Sequence, residues 1–225
     1  MSAGPLLEGR IKQIFTASLS PLVRLLAGAG LNPNTISFAG LLLSAVAGLA
    51  YSLGLFLSAA FLVTASGICD SLDGLVARRA GKASGFGAFL DSTLDRLGEV
   101  FVFLGLAWFF SSRSAYLNQS PIIVIFIILA IEGSFMVSYT RARAEALGIS
   151  CTNGLMQRPE RMVLLIVGSL LGSVPAIGLV SVKITIYLLA VLTNLTVIER
   201  IRHTRKEMTM RNGPFPSDKM RDYRK

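Results

Sequence analysis

The sequence is short of cysteine, of charge and of acidic residues. It has two cysteines in 225 residues, Cys69 and Cys151, with no CxxC spacing. That excludes a disulfide framework and a cysteine zinc site. Charged residues make up 16% and hydrophobic residues 52% of the chain, and mean hydropathy is +0.62. Soluble domains average about 25% charged residues, so this composition points to a polytopic membrane protein. The opening stretch, MSAGPLLEGRIKQIF, contains Glu8 and has no long apolar core before Gly28, which argues against a secretory leader. No internal repeat is visible. The net charge is +9, yet no aromatic–basic platform accompanies it, so nucleic acid is not expected as a partner.

What is present is apolar sequence punctuated by basic clusters. Lys and Arg gather in the N-terminal segment, around Arg78 to Lys82, between Arg141 and Arg161, and after Arg200. The remaining connections hold only Arg113 and Lys183. Under the positive-inside rule the clusters are cytoplasmic and lie against anionic lipid headgroups. Residues 7–28 interleave apolar and basic positions at helical spacing and predict an amphipathic helix on the membrane surface. Six spans follow, at about 36–51, 55–76, 85–110, 122–139 (continuing as helix to Ala146), 162–171 and 184–198. The fold class expected is all-α: six transmembrane helices plus the surface helix, with both termini cytoplasmic. A single domain is expected over 1–225, with the six-helix bundle at 33–206 and a basic tail at 207–225. The segments SSRSAYLNQSP and GSVPAIGLVSVK read as outer connections, and the last residues, with Gly213, Pro214 and Pro216, as frayed.

The stretch from Asp70 to Asp95 is the exception to the apolar pattern. Asp70 and Asp73 are three apart, and Asp91 and Asp95 four apart, so each pair shares one face of its helix. One carboxylate at the centre of a membrane helix costs roughly 2.5–3.5 kcal/mol. Four therefore need a counter-charge. The two helices are consecutive, joined at a basic, Gly-rich hinge, and are expected to pack as antiparallel neighbours, bringing all four acids to one depth. Oxygen ligands without His or Cys favour Mg2+, Mn2+ or Ca2+. Gly74 and Gly87 clear space beside the acids, and Arg78 could reach an anionic group held there. This combination suggests phosphoryl-group chemistry.

These residues read Asp70-x2-Asp73-Gly74-x2-Ala77-Arg78-x8-Gly87-x3-Asp91-x3-Asp95. The pattern resembles the signature of the CDP-alcohol phosphotransferases at every fixed position. The resemblance implies that a CDP-linked lipid donates its phosphatidyl group to a hydroxyl of a polar acceptor and releases CMP, without a covalent enzyme intermediate. It further implies two divalent ions, Mg2+ or Mn2+. Asp70 and Asp91 would bridge both ions, Asp73 would hold one, and Asp95 would hold the other and act as general base. Asp70, Asp73, Gly74, Arg78 and Ser84 would bind the CDP-lipid, with the turn Asn32, Pro33, Asn34, Thr35 against the nucleotide. A homodimer is implied as well.

The acceptor is read from the second half. Arg141, Arg158, Arg161 and Arg200 stand at the expected cytoplasmic ends of spans and suit a phosphate-bearing alcohol, although basic residues at inner span ends also serve topology. The segments SYTRARAEALG and QRPERMVLL resemble the branch that uses inositol phosphate, the phosphatidylinositol-phosphate synthases. Glycerol 3-phosphate is the alternative acceptor, and CDP-archaeol the alternative to CDP-diacylglycerol as donor. A divalent-cation transporter is the reading from a different class; the scarcity of acids in the outer turns disfavours it. Glu99 and Glu132, also inside spans, are expected to be paired structurally.

Overall fold

The computed structural model describes residues 10–112 and 122–212, which form seven α-helices and no strand. They are α1 (Arg10–Gly28), α2 (Pro33–Ser52), α3 (Phe56–Arg79), α4 (Gly85–Ser112), α5 (Ile122–Ala146), α6 (Arg158–Gly172) and α7 (Gly178–Asn212). Four of them, α2, α3, α5 and α7, are long and apolar enough to cross a membrane. Outward-facing large apolar side chains, such as Leu49, Phe61, Trp108 and Leu195, remain exposed, as they do where lipid is the solvent. The chain is a multi-pass membrane protein of all-helical fold. Residues 7–9, most of the polar connection after α4, and the tail from residue 213 lie outside the described residues.

Local chemistry sets the helix ends. Asn32 caps α2 by accepting from the Asn34 backbone N–H at 3.1 Å, and Pro33 occupies the first turn, where no N–H is needed. Gly81, at φ 64°, ends α3; Lys82 N–H reaches back to the Ala77 carbonyl at 2.9 Å, the pattern of a left-handed C-terminal cap. Ser84 Oγ accepts from Gly87 N–H at 3.0 Å and so opens α4. Two boundaries differ from the sequence expectation. Helix α6 begins at Arg158, taking in Pro159 within its first turn, where proline is tolerated. Helix α7 begins at Gly178, so much of the expected outer connection is helical.

The helices form two groups. α2 packs along both α3 and α4, while α7 packs along both α5 and α6; α3–α6 and α4–α5 contacts join the groups, and α1 rests on α3. Consequently α3 and α4 scarcely touch. They are not the packed neighbours that their succession in the chain suggests: α2 lies between them and forms the floor of a cleft.

Close backbone approach makes this possible. A Cβ on Gly105 of α4 would stand 1.9 Å from the Gly48 carbonyl oxygen of α2, and one on Gly48 would stand 2.3 Å from the Phe101 carbonyl oxygen. The same device recurs between α6 and α7, where Gly168 faces Thr185. Small residues at crossings are the usual solution in lipid, where packing replaces the hydrophobic drive. At the end remote from the acids the bundle is sealed by Tyr51, Phe56, Phe109 and Phe110. The Phe56–Phe109 ring centroids lie 5.1 Å apart, and Tyr51 Oη pairs with Ser169 Oγ at 2.6 Å.

Gly105→Ala should therefore push α2 and α4 apart and lower stability by about 1–3 kcal/mol or more. Gly28→Ala, which meets nothing within 4 Å, should leave the thermal unfolding midpoint in detergent unchanged. Equal midpoints for the two variants would contradict the close crossing.

Candidate active site

The cleft between α3 and α4 opens at the end of the bundle where α2, α4 and α6 begin. It is lined by Ser37, Gly40, Leu41 and Ser44 of α2, by Ser66, Asp70 and Asp73 of α3, by Asp91, Leu94 and Asp95 of α4, and by Arg158 of α6. Carboxylate oxygens of Asp70, Asp91 and Asp95 lie within 4.8 Å of one another. Asp73 is buried beside them and accepts a hydrogen bond from Ser37 Oγ at 2.5 Å. Four hard oxygen donors converging from two helices fit one or more divalent cations. The convergence depends on α2, whose small residues at 37, 40 and 44 let α3 and α4 close in from either side.

Residues expected around the nucleotide also gather near the α3–α4 hinge. The Arg78 guanidinium lies over Gly74, where a Cβ would meet Nη1 at 3.4 Å. A Cβ on Gly87 would meet Ser84 Oγ at 3.1 Å and Asn34 Oδ1 at 3.8 Å. The turn at residues 32–35 and Ser84 thus meet over Gly87, while Thr35 and Asn32 face outward.

The four arginines expected to bind an acceptor are placed differently from one another. Arg158 reaches into the cleft, with Nη1 on Asp70 Oδ2 and Nη2 on Asp95 Oδ1 at 2.6 Å. Arg161 is buried and spends its donors on structure: Nε and Nη2 go to Glu99 Oε1 at 3.2 and 2.7 Å, and Nη1 to the Met156 carbonyl at 3.1 Å. Arg200, 2% exposed, ties α7 to the Asn153 carbonyl through Nε at 2.8 Å and to the Val137 carbonyl through Nη1. Arg141 pairs at the surface with Glu145 at 2.8 Å.

Glu99 is the partner that holds Arg161, and it also accepts from Arg96 at 3.3 Å. Glu132 is exposed on α5. Sequence reasoning gave no role to Ser37, the residue that engages Asp73. The available signal was the stripe of small residues at 37, 40 and 44 on one face of an otherwise apolar helix.

Neutralising Glu99 leaves a buried guanidinium unmatched. Glu99→Gln should cost about 3–5 kcal/mol, read as a lowered unfolding midpoint. Arg141→Gln should barely move it, because exposed pairs contribute little. A Glu99→Gln protein as stable as the parent would contradict a bracing role for the Arg161–Glu99 pair.

The sequence profile of the CDP-alcohol phosphatidyltransferase family matches residues 31–199. The phosphatidylinositol phosphate synthase of Mycolicibacterium smegmatis is 33% identical over 82% of this chain and 82% of its own. The archaetidylinositol phosphate synthase of Pyrococcus horikoshii is 34% identical over 84% of this chain and 94% of its own. Among solved structures, the phosphatidylinositol phosphate synthase of Mycobacterium tuberculosis with CDP-DAG bound superposes with TM-score 0.73 at 31% identity, covering 82% of this chain and 92% of that one. The same enzyme in complex with manganese and citrate also gives 0.73, covering 82% and 87%.

Proposed function

The chain belongs to the CDP-alcohol phosphatidyltransferase family, and from that premise we propose that it transfers the phosphatidyl group of a CDP-linked lipid to inositol phosphate, releasing CMP. The observation that carries this reading is the convergence of Asp70, Asp91 and Asp95 oxygens beside Asp73 and Arg158 in one cleft. The inositol phosphate acceptor is favoured by relatives named for inositol phosphate products in both bacteria and archaea.

In this proposal Asp70, Asp73, Asp91 and Asp95 hold two divalent ions, Mg2+ or Mn2+. Bound there, such ions neutralise the donor pyrophosphate and the departing CMP. Gly74, Arg78 and Ser84 hold the CDP group, with residues 32–35 against the nucleotide. Arg78 supplies a planar fork for phosphate oxygens, and Gly74 leaves room for it. Asp95 accepts the proton of the acceptor hydroxyl. That oxygen forms a bond to the lipid-bearing phosphorus as the bond from that phosphorus to CMP breaks. Arg158 grips the acceptor phosphate directly. Arg161 and Arg200 act through the walls they brace, and Arg141 sits at the rim.

The apolar second half of α4 and the shorter α6 would complete six spans, α2 to α7, with α1 on the membrane surface, making one catalytic unit of the whole chain. The basic end that carries the site would be cytoplasmic, as the distribution of Lys and Arg favours. A homodimer is carried on the family resemblance.

The test is an acceptor screen with CMP release as readout. CDP-diacylglycerol and CDP-archaeol would be offered as donors, and inositol phosphate, glycerol 3-phosphate, inositol and serine as acceptors. Release is expected with inositol phosphate, abolished by a chelator and restored by Mg2+ or Mn2+. No release with any alcohol would overturn the reaction, and release with glycerol 3-phosphate alone would overturn the acceptor. Asp95→Asn should cut turnover about 10²–10⁴-fold while retaining donor binding. Full turnover in that variant would remove Asp95 as the base.

A further inference from the structure

The first turn of α6 presents two arginines to the acidic helices, and they are held in different ways. Arg161 has Nε, Nη1 and Nη2 all engaged, on Glu99 and on the Met156 carbonyl. Arg158 has Nη1 and Nη2 on Asp70 and Asp95, but its Nε is buried with no acceptor. One guanidinium is engaged at all three nitrogens where it sits. The other is not, and a buried donor without a partner carries a desolvation cost.

The carboxylates that Arg158 occupies are also the ones that suit a divalent cation. Asp70 and Asp95 belong to the trio whose oxygens lie within 4.8 Å of one another. A guanidinium and a divalent ion at those oxygens would be like charges a few ångströms apart in an apolar bundle, where repulsion is weakly screened. The charge count points the same way. One arginine cannot match the carboxylates of Asp70, Asp73, Asp91 and Asp95, whereas two divalent ions can, and Arg158 then becomes a surplus cation beside the site.

We propose that Arg158 is the resident counter-ion of the aspartate cluster, that divalent metal displaces it, and that the displaced guanidinium is what receives the acceptor's phosphate. The last clause rests on the acceptor reading given above, and the competition with metal stands without it. Metal and arginine are alternative partners of Asp70 and Asp95, so removing one strengthens the other. An anionic acceptor that engages Arg158 away from the carboxylates must in turn favour metal binding, because coupling between sites is reciprocal. Arg161 cannot follow the same course, because Glu99 remains its partner whether or not metal is present.

The experiment measures Mn2+ binding directly on the full-length protein in detergent micelles, by the electron paramagnetic resonance signal of free Mn2+. Arg158→Gln should bind Mn2+ on the order of tenfold more tightly than the parent. Arg158→Lys, which keeps a cation, should lie closer to the parent. Equal or weaker binding by folded Arg158→Gln would overturn the competition. The parent protein gives a second measurement that needs no variant: inorganic phosphate, used as the probe anion in calorimetry, should bind with Mn2+ present and lose at least most of its affinity without it. Phosphate binding indifferent to Mn2+ would overturn the coupling. If Arg158→Gln binds Mn2+ more tightly yet binds phosphate as well as the parent does in its presence, the competition holds and the assignment of Arg158 to the acceptor falls.

Discussion

Everything at the working end of this protein answers to one electrostatic constraint: carboxylates that converge inside an apolar bundle must be matched by cations. Asp70, Asp73, Asp91 and Asp95 meet where water is scarce, and a charge left alone there is far more costly than one at a surface. Arg158 bridges two of them. One turn deeper on α4, Glu99 repeats the arrangement with Arg161 and Arg96. The two layers differ in use. The deeper one is complete and belongs to the scaffold; the upper one has carboxylates in excess of cations, which is what a metal-binding site requires.

The scaffold that maintains this excess is built from small residues. Gly48 and Gly105 bring α2 and α4 into backbone contact. Ser37, Gly40 and Ser44 give α2 a narrow face toward the cleft. Ser66 Oγ, paired with Ser44 Oγ at 2.8 Å and donating to the Gly40 carbonyl at 2.9 Å, fastens α3 to the same face. Larger side chains at these places would separate the acidic helices and widen the distances on which metal binding depends.

Much of this was legible in the sequence, for identifiable reasons. Apolar run lengths defined the helices, because a membrane helix must satisfy its backbone internally and a long apolar run has few alternatives. The hinge was legible from Gly81 and Ser84, whose cap chemistry is local. The order of the aspartates showed which faces carry charge. The partner of each face was not legible. That α2 separates α3 from α4 follows from the Gly48–Gly105 crossing, a tertiary fact with no signal in spacing alone. The four arginines look equivalent along the chain, yet Arg161 bonds to Glu99 and Met156, and Arg200 bonds through Nε and Nη1 to Asn153 and Val137. Which donors remain available is set by atoms far away in sequence.

The division into two helix groups bears on how the protein is made. The cleft aspartates and Glu99 reside in the group first to be synthesised, and the arginines that reach them across the two groups reside in the second: Glu99, which has Arg96 on its own helix, gains Arg161, and Asp70 and Asp95 gain Arg158. Synthesis proceeds from the N-terminus, so α3 and α4 are made before α6 exists. During that interval the acids must be held by water, by protons or by the insertion machinery. The arrival of α6 brings Arg158 and Arg161 to those acids and joins the two groups, so the same residues serve the site and its assembly.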